Sequence, residues 1–130
     1  MVIDTSVIVA IAFNEEEAAI FERLIIEASI RLISAASVFE AAMVIESNLG
    51  EQGGRDLDLW LQKIGAYVIA VEPEHADQAR LAWRHFGKGR HPAGLNFGDC
   101  FSYALAKMSR QPLLFKGNDF SKTDIAPAWR

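Results

Sequence analysis

The chain has almost no cysteine: Cys100 is the single one among 130 residues. One cysteine forms no internal disulfide and no cysteine-based zinc site, which excludes disulfide-stapled secreted folds. Long apolar runs are also missing, since the longest, Val7 to Phe13, is far shorter than the roughly 20 residues of a membrane-spanning helix. No basic segment precedes Asp4, which interrupts the first apolar residues, so we expect no signal peptide and a cytoplasmic protein.

Positive charge is in short supply. Lysine and arginine number 13 against 17 aspartates and glutamates, a net charge of −4, and this excludes a nucleic-acid coat that is basic all over. The segment 78–98 nevertheless contains no acid and carries Arg80, Arg84, Lys88 and Arg90. An acidic protein with one basic stripe can still steer a polyanion to one place.

What the chain does have is an alternation of short apolar segments with helical periodicity. Strands are predicted at Val2–Ile3, Arg31–Ser34, Tyr67–Val71 and Pro112–Phe115. Helices are predicted between them, with Thr5 or Ser6 capping the first, Asn14 capping the second, Gly50 ending the third and Asp56 beginning the fourth. This alternation predicts a three-layer α/β fold, in which a central parallel sheet of four or five strands has helices on both faces. The apolar fraction of 51% and the length fit one domain over residues 1–130.

Four acids stand at positions where solvated acids are not expected. Asp4 follows the first strand directly, at the sheet edge where α/β proteins place ligands. Glu40 is the only charged residue in the segment 32–45. Asp99 begins the helix after a glycine-rich loop, and Asp119 follows the last strand. Because strand ends and helix starts of a parallel sheet meet at one edge, we expect the four carboxylates to converge.

Each acid also has a structural explanation. Asp4 would cap the helix after it, Glu40 would pair with a neighbouring element, and Asp119 would be a turn acid. Asp99 would form a capping box with Asn96. Together the four favour a shared site, because clustered carboxylates raise one another's pKa unless a cation joins them. Carboxylates and water suit Mg²⁺ or Mn²⁺ rather than zinc, and such a site suits phosphoryl chemistry.

Several segments resemble a known family when taken in order. Val2–Ser6, Glu40 on its helix, Asn96–Asp99 at a helix start and Gly117–Phe120 are similar to the PIN-domain ribonucleases. Within that family, the segment Gly87–Cys100 most resembles the VapC toxins of bacterial type II toxin–antitoxin modules. The likeness spans nearly the whole chain.

The resemblance implies a Mg²⁺- or Mn²⁺-dependent endoribonuclease that acts on single-stranded segments of RNA, often in tRNA or rRNA, and leaves a 5′-phosphate and a 3′-hydroxyl. It also implies a homodimer and an inhibitory VapB-type antitoxin. The residues that take the catalytic and metal-binding positions are Asp4, Glu40, Asp99 and Asp119. Ser6 would orient the Asp4 carboxylate, and Asn118 stands where many relatives carry an acid and would support the site through its carbonyl.

Basic residues near these acids are predicted to hold RNA. Arg84, Lys88 and Arg90 flank the start of the Asp99 helix, and we expect them to contact the RNA backbone. Lys116 ends the last strand and is expected to contact phosphate or to pair with Asp119. The structural alternative is a solvated basic loop.

Three other functions fit parts of the pattern. A receiver-type phosphoacceptor domain shares the acid after the first strand and a lysine, here Lys116, after the last, but Ser34 and Glu72 stand where its aspartate is needed. An aspartate-nucleophile phosphatase needs a second acid at the position of Ser6. The third alternative is a PIN-like fold kept only for binding partners.

Overall fold

The computed structural model describes residues 1–129. Within them, four parallel strands form one sheet with five α-helices around it. The strands are β1 (Val2–Ile3), β2 (Leu32–Ser34), β3 (Tyr67–Ile69) and β4 (Leu113–Leu114). The helices are α1 (Thr5–Ala12), α2 (Ala18–Glu27), α3 (Ala35–Lys63), α4 (Pro73–Phe86) and α5 (Phe97–Ser109), and a 3₁₀ turn spans Phe120–Lys122. In this described part of the chain no helix is long and apolar enough to cross a membrane.

The strand order is β3-β2-β1-β4, and every pair is parallel. Val2 of β1 lies opposite Leu32 on one side and Leu113 on the other. The chain therefore leaves β1 in one direction towards β2 and β3 and returns to its other side with β4. Open α/β sheets bind ligands where the strand order switches in this way, here beside the carboxyl ends of β1 and β4.

Alternate residues of the central strands face opposite layers. Val2 and Leu113 pack into the cluster formed with α4 and α5, whereas Ile3 and Leu114 pack into the cluster formed with α1, α2 and α3. A strand whose side chains alternate between two buried faces is apolar at every position. The predicted parallel sheet covered on both faces is thus confirmed, with four strands.

Two predicted helix starts are wrong. Asp4, rather than Thr5 or Ser6, caps α1, because its carboxylate accepts a hydrogen bond from the Ser6 backbone N at 3.0 Å. Asn14 does not cap α2, which begins only at Ala18; its φ of 51° places it in the turn after α1. Asparagine tolerates this left-handed conformation better than most residues, so it serves the turn and not the cap.

The predicted break at Gly50 is confirmed as a sharp bend inside α3. Gly50 has φ 69° and ψ −172°, a conformation that other residues rarely adopt. Helical structure resumes at once after the bend rather than at Asp56. The reason is close packing across the bend, where a Cβ at Gly53 would press against Ile45 and Leu49.

Candidate active site

Asp4 is buried at the carboxyl end of β1, with only 3% of its surface exposed. Its Oδ2 accepts hydrogen bonds from the backbone N of Ser6 at 3.0 Å and from the Ser6 hydroxyl at 2.7 Å. Its Oδ1 accepts one from the hydroxyl of Ser102 at 2.5 Å. Burying a carboxylate is costly unless such partners are present, so these bonds hold Asp4 in one fixed orientation.

A chain of buried hydroxyls links the elements that carry the acids. Ser102 is fully buried, and its Oγ lies 3.2 Å from the equally buried Oγ of Ser37. Ser102 is one helical turn after Asp99 on α5, and Ser37 is one turn before Glu40 on α3. The chain from Ser37 through Ser102 to Asp4 therefore fixes the relative positions of β1, α3 and α5.

Glu40 reaches from α3 to the first turn of α5. Its carboxylate lies against Gly98, where any Cβ would overlap it. Gly98 directly precedes Asp99, so Glu40 lies beside the Asp99 backbone. The amino-terminal end of a helix favours negative charge, which helps to hold Glu40 there.

Asp99 combines the predicted helix cap with a raised pKa. It forms a capping box with Asn96, in which the Asp99 backbone N donates to Asn96 Oδ1 at 2.8 Å and the Asn96 backbone N donates to Asp99 Oδ2 at 3.0 Å. Burial and the charges of Asp4, Asp119 and Glu40 together raise the pKa of Asp99 to about 7, against the hydrogen bond from the Asn96 backbone, which lowers it. The other three carboxylates thus each lie within electrostatic reach of Asp99.

Asp119 and Asn118 lie in the turn that follows β4, and both are exposed. Asp119 precedes the 3₁₀ turn and is close enough to Asp99 to raise its pKa. The backbone oxygen of Asn118 accepts a hydrogen bond from the Ser121 hydroxyl at 2.6 Å, which holds the turn closed. Asp119 is therefore the most exposed of the four acids.

The four acids offer the oxygen donors that a hard divalent cation prefers. Within residues 1–129, no three Asp, Glu, His or Cys side chains already lie close enough to enclose one ion. The electrostatics favour a cation all the same, because burial and three neighbouring carboxylates raise the pKa of Asp99 and no lysine or arginine of this part of the chain pairs with any of the four. The lack of three preassembled ligands does not argue against a cation, because Mg²⁺ binds through one or two carboxylates and keeps several waters.

The neighbouring thiol does not change the kind of site. Cys100 follows Asp99 on α5, and burial raises the pKa of its thiol to about 11. A protonated thiol is a poor metal ligand, since thiolates are the ligating form. The donors at this edge are therefore oxygens, which suit Mg²⁺ or Mn²⁺.

Lys116 does not pair with Asp119. Its Nζ lies 2.5 Å from Oε1 of Glu15 and 3.1 Å from Oε2 of Glu17, in the turn between α1 and α2. The hydrogen bonds to these two glutamates, with Glu15 first, raise the pKa of Lys116. Its backbone N donates to the Ser6 hydroxyl at 3.0 Å, so Lys116 joins the ends of β1 and β4 rather than neutralising the carboxylates.

The other predicted basic residues lie on the surface at the end of α4 and in the loop after it. Arg84 on α4 and Lys88 in the following loop are exposed. The Arg90 guanidinium lies over the Trp83 ring, 4.0 Å from its centroid. In the described residues, none of these three cations forms an ion pair with the four acids.

Sequence reasoning missed three residues of the site. Ser102 and Ser37 bond within the cluster, and Gly98 makes room for Glu40. A signal existed in the spacing, because each serine stands three positions from an acid on the same helix. Small residues at that spacing share the face of the acid and pack where a larger side chain would not fit.

Comparison with known proteins adds the family. The model of the PIN domain matches residues 1–126. The chain is 57% identical over 126 residues to the Ribonuclease VapC of Mycolicibacterium smegmatis, covering 97% of this chain and 98% of that protein. It is 58% identical over 126 residues to the Ribonuclease VapC30 of Mycobacterium tuberculosis, covering 97% and 96%.

Two solved structures share the fold at low sequence identity. The crystal structure of Mycobacterium tuberculosis VapC20, described as a sarcin-ricin loop cleaving toxin, superposes with a TM-score of 0.78 at 17% identity and covers 96% of this chain and 95% of that one. A toxin–antitoxin complex from Klebsiella pneumoniae superposes with a TM-score of 0.74 at 14% identity, covering 99% and 98%. These neighbours agree with the sheet and helices described above.

Proposed function

The chain belongs to the PIN-domain family and, within it, to the VapC ribonucleases, and we propose that the carboxylates around Asp99 are the active site of this endoribonuclease. The observation that supports this most is the environment of Asp99, whose pKa is raised by burial and by the repulsion of Asp4, Asp119 and Glu40. A fold kept only for binding would gain nothing from such repulsion, which lowers its stability.

The four acids have different tasks in this proposal. Asp4 and Asp99 hold the principal Mg²⁺ or Mn²⁺ ion, and Glu40 and Asp119 assist. Once bound, such a cation activates water and stabilises charge on a phosphodiester. Ser6 and Ser102 keep the Asp4 carboxylate oriented.

Substrate positioning falls to the basic residues beside the cluster. Arg84, Lys88 and Arg90 contact phosphates on either side of the scissile bond, which positions the strand without reading its sequence. Lys116, engaged by Glu15 and Glu17, contributes less to phosphate binding and more to holding the turn before Asn118. Asn118 offers the site a neutral oxygen ligand where an acid would bring charge.

The substrate class and partners follow from the family. VapC20 is named for cleavage of the sarcin-ricin loop, and we extend this to single-stranded segments of rRNA or tRNA for this chain. The Klebsiella complex pairs a toxin with an antitoxin, and we propose a VapB-type antitoxin as the inhibitor here. We further propose that the protein forms a homodimer and acts in the cytoplasm.

The decisive experiment incubates the purified protein with total RNA in Mn²⁺, in Mg²⁺ and in EDTA, and maps the cut ends. We expect cleavage with either cation and none in EDTA. Asp4→Asn should be inactive while keeping its fold by circular dichroism, whereas Asp58→Asn, an exposed acid on α3, should cleave normally. Equal cleavage in EDTA would falsify the role of the cation.

A further inference from the structure

A groove of about 600 Å³ runs between α4 and α5. Its volume is within the range of about 300–1,000 Å³ typical of ligand pockets. The apolar floor and walls consist of Ala79, Leu95, Cys100, Trp83, Phe97 and Phe101. Arg80 and Lys88 also line it. The groove is therefore an aromatic cleft with cations at its rim.

The groove adjoins the active site through α5. Asn96 lines the groove, and its backbone N bonds to the Asp99 carboxylate at 3.0 Å. Phe97 lines it two residues before Asp99. A strand whose phosphate lies at Asp99 would therefore have an adjoining nucleotide at the mouth of the groove.

Phe97 is an unusual residue for a soluble surface, because 83% of it is exposed. Its ring meets Phe101 edge to face, with centroids 5.0 Å apart and an interplanar angle of 80°. Phe101 therefore supports the Phe97 ring from one side only. An aromatic ring that is held in place and exposed is what single-stranded nucleic acid uses as a stacking platform.

The opposite wall is rigid. Trp83 packs so closely on Gly87 that a Cβ there would overlap its ring and backbone, and the Arg90 guanidinium lies 4.0 Å from the ring centroid. A stacked arginine of this kind keeps its N–H groups for phosphate while adding charge beside the aromatic wall.

The positive charge around the groove indicates what kind of molecule binds there. Arg80 and Lys88 line the groove, Arg84 and Arg90 lie nearby, and no acid occurs in the segment 78–98. In a two-fold dimer the same patch lies on both subunits, so a second copy of this chain would bring these cations towards one another. A polyanion that carries flat apolar rings satisfies both the charge and the aromatic walls.

We propose that the groove between α4 and α5 is a nucleobase subsite, which takes one unpaired base next to the scissile phosphate. The base stacks on Phe97, and Arg80 and Lys88 contact the phosphates that flank it. This inference rests on the proposed ribonuclease function and adds a site that tells one nucleotide position from the others.

Abasic scanning combined with mutagenesis tests the subsite. A fluorescein-labelled single-stranded RNA that the wild-type protein cleaves is made with one abasic nucleotide at each position in turn. Dissociation constants are measured by anisotropy in the Asp99→Asn background, where cleavage does not intervene. Phe97→Ala is the test variant, and Phe97→Leu keeps apolar volume without the aromatic face. Tyr67→Ala, which removes an exposed aromatic residue from β3, is the matched control.

We expect Phe97→Ala to weaken binding of intact RNA about tenfold and Phe97→Leu to weaken it nearly as much, with Tyr67→Ala unchanged. RNA with an abasic nucleotide at one position near the cut site should bind the wild-type protein about tenfold more weakly than intact RNA. On that RNA, Phe97→Ala should weaken binding no further. A loss that is equal at every abasic position, no loss at all, or a loss explained by a change in oligomeric state on sedimentation would each overturn the proposal. Failure of the wild-type protein to cleave any RNA would instead count against the ribonuclease function.

Discussion

The hydroxyl of Ser102 donates a hydrogen bond to Oδ1 of Asp4 at 2.5 Å, although 98 positions of sequence separate the two residues. Ser6 donates twice to the other oxygen, Oδ2. A carboxylate offers about four lone-pair sites, so the site left open for a cation is on Oδ1. In the proposed active site, Ser102 is therefore a positioning residue, which would act on the chemistry only through Asp4.

Ser102→Ala should weaken both the fold and the metal site. It leaves a buried carboxylate oxygen and the Ser37 hydroxyl each without a partner, and we expect a loss of about 1–3 kcal/mol in the free energy of unfolding in urea. Affinity for Mn²⁺, measured by calorimetric titration of the folded variant, should fall roughly 10- to 100-fold, as for other residues that orient metal ligands.

Ser109→Ala is the matched control for this prediction. Ser109 lies on the same helix, but its hydroxyl donates at 2.6 Å to the backbone oxygen of Leu105 and touches none of the acids. We expect this variant to bind Mn²⁺ as the wild-type protein does. If both variants lost the same affinity, the role of the Ser102 hydroxyl would be refuted.

Asp99→Asn should stabilise the metal-free protein at high pH. The pKa of Asp99 is raised from 3.8 to about 7 in the folded chain, so between these values the folded state keeps a proton that the unfolded state has released. Stability without metal therefore falls as pH rises from 3.8 to about 7 and stays low above that. Asparagine removes the charge and keeps an oxygen for the Asn96 backbone N, so at pH 8 in EDTA we expect a gain of roughly 1 kcal/mol after allowance for solvent screening.

Thermal melts at several pH values check this prediction. The advantage of Asp99→Asn should shrink as the pH is lowered and vanish below 3.8. Saturating Mn²⁺ at pH 8 should reverse the order, because the wild-type protein binds the cation and the variant does not. A variant that is no more stable than the wild-type protein in EDTA at pH 8 would show that neither burial nor the neighbouring carboxylates disfavour the charged form of Asp99.

Gly98→Ala should reduce RNA cleavage strongly while changing the free energy of unfolding only slightly. Alanine favours a helix over glycine by about 1 kcal/mol, but its Cβ would overlap the Glu40 carboxylate. That carboxylate is the flexible end of a long side chain and moves aside at little cost, so we expect unfolding free energy to change by less than about 1 kcal/mol. A displaced ligand of about 1 Å can cost on the order of 100-fold in rate, and we expect cleavage to fall by that order.

The double variant Gly98→Ala with Glu40→Ala provides the control. Once the carboxylate is absent, the added methyl group meets no obstacle, and Gly98→Ala should become stabilising and have no further effect on cleavage. Rates from single-turnover cleavage and unfolding curves of all four proteins complete the cycle. Additive effects on the rate would mean that Gly98 does not act through Glu40.

Salt dependence should identify the cations that contact RNA. Each phosphate contact on a single strand contributes about 0.7 to the slope of log affinity against log salt, so Arg84→Ala and Lys88→Ala should each lower the slope by about that amount. Arg110→Ala should not, because Arg110 caps the opposite end of α5. Lys116→Ala should have a smaller effect, since Glu15 and Glu17 already hold its charge. An unchanged slope in Arg84→Ala and Lys88→Ala would show that other residues make the contacts with the RNA backbone.

The part of the site that follows from local pattern was predictable. Asp4 lies within electrostatic reach of Asp99 because strand ends and helix starts of a parallel sheet share one edge, and alternating apolar segments were enough to indicate such a sheet. The partner of Lys116 was not predictable in the same way. Glu15 lies 101 positions away, and its approach depends on how the turn after α1 folds against β4.

Helix caps show the same difference between features set by local sequence and features set by tertiary contacts. Asn96 and Asp99 form the capping box that their spacing of three predicts. The start of α1 was misread, because the Ser6 hydroxyl bonds to the Asp4 carboxylate and accepts from the Lys116 backbone N, a contact made only in the folded sheet. Local chemistry identifies a group that is able to cap, and tertiary contacts decide which one does.

The position of β1 between β2 and β4 has a consequence for synthesis on the ribosome. Val2 pairs with Leu32 early, but its other edge remains open until Leu113 has been translated and has emerged from the exit tunnel. Ser102, which orients Asp4, is also made in the last third of translation. A nascent chain therefore carries Asp4 for most of its synthesis before the strand and the serine that complete its surroundings have been made, so this part of the fold forms late.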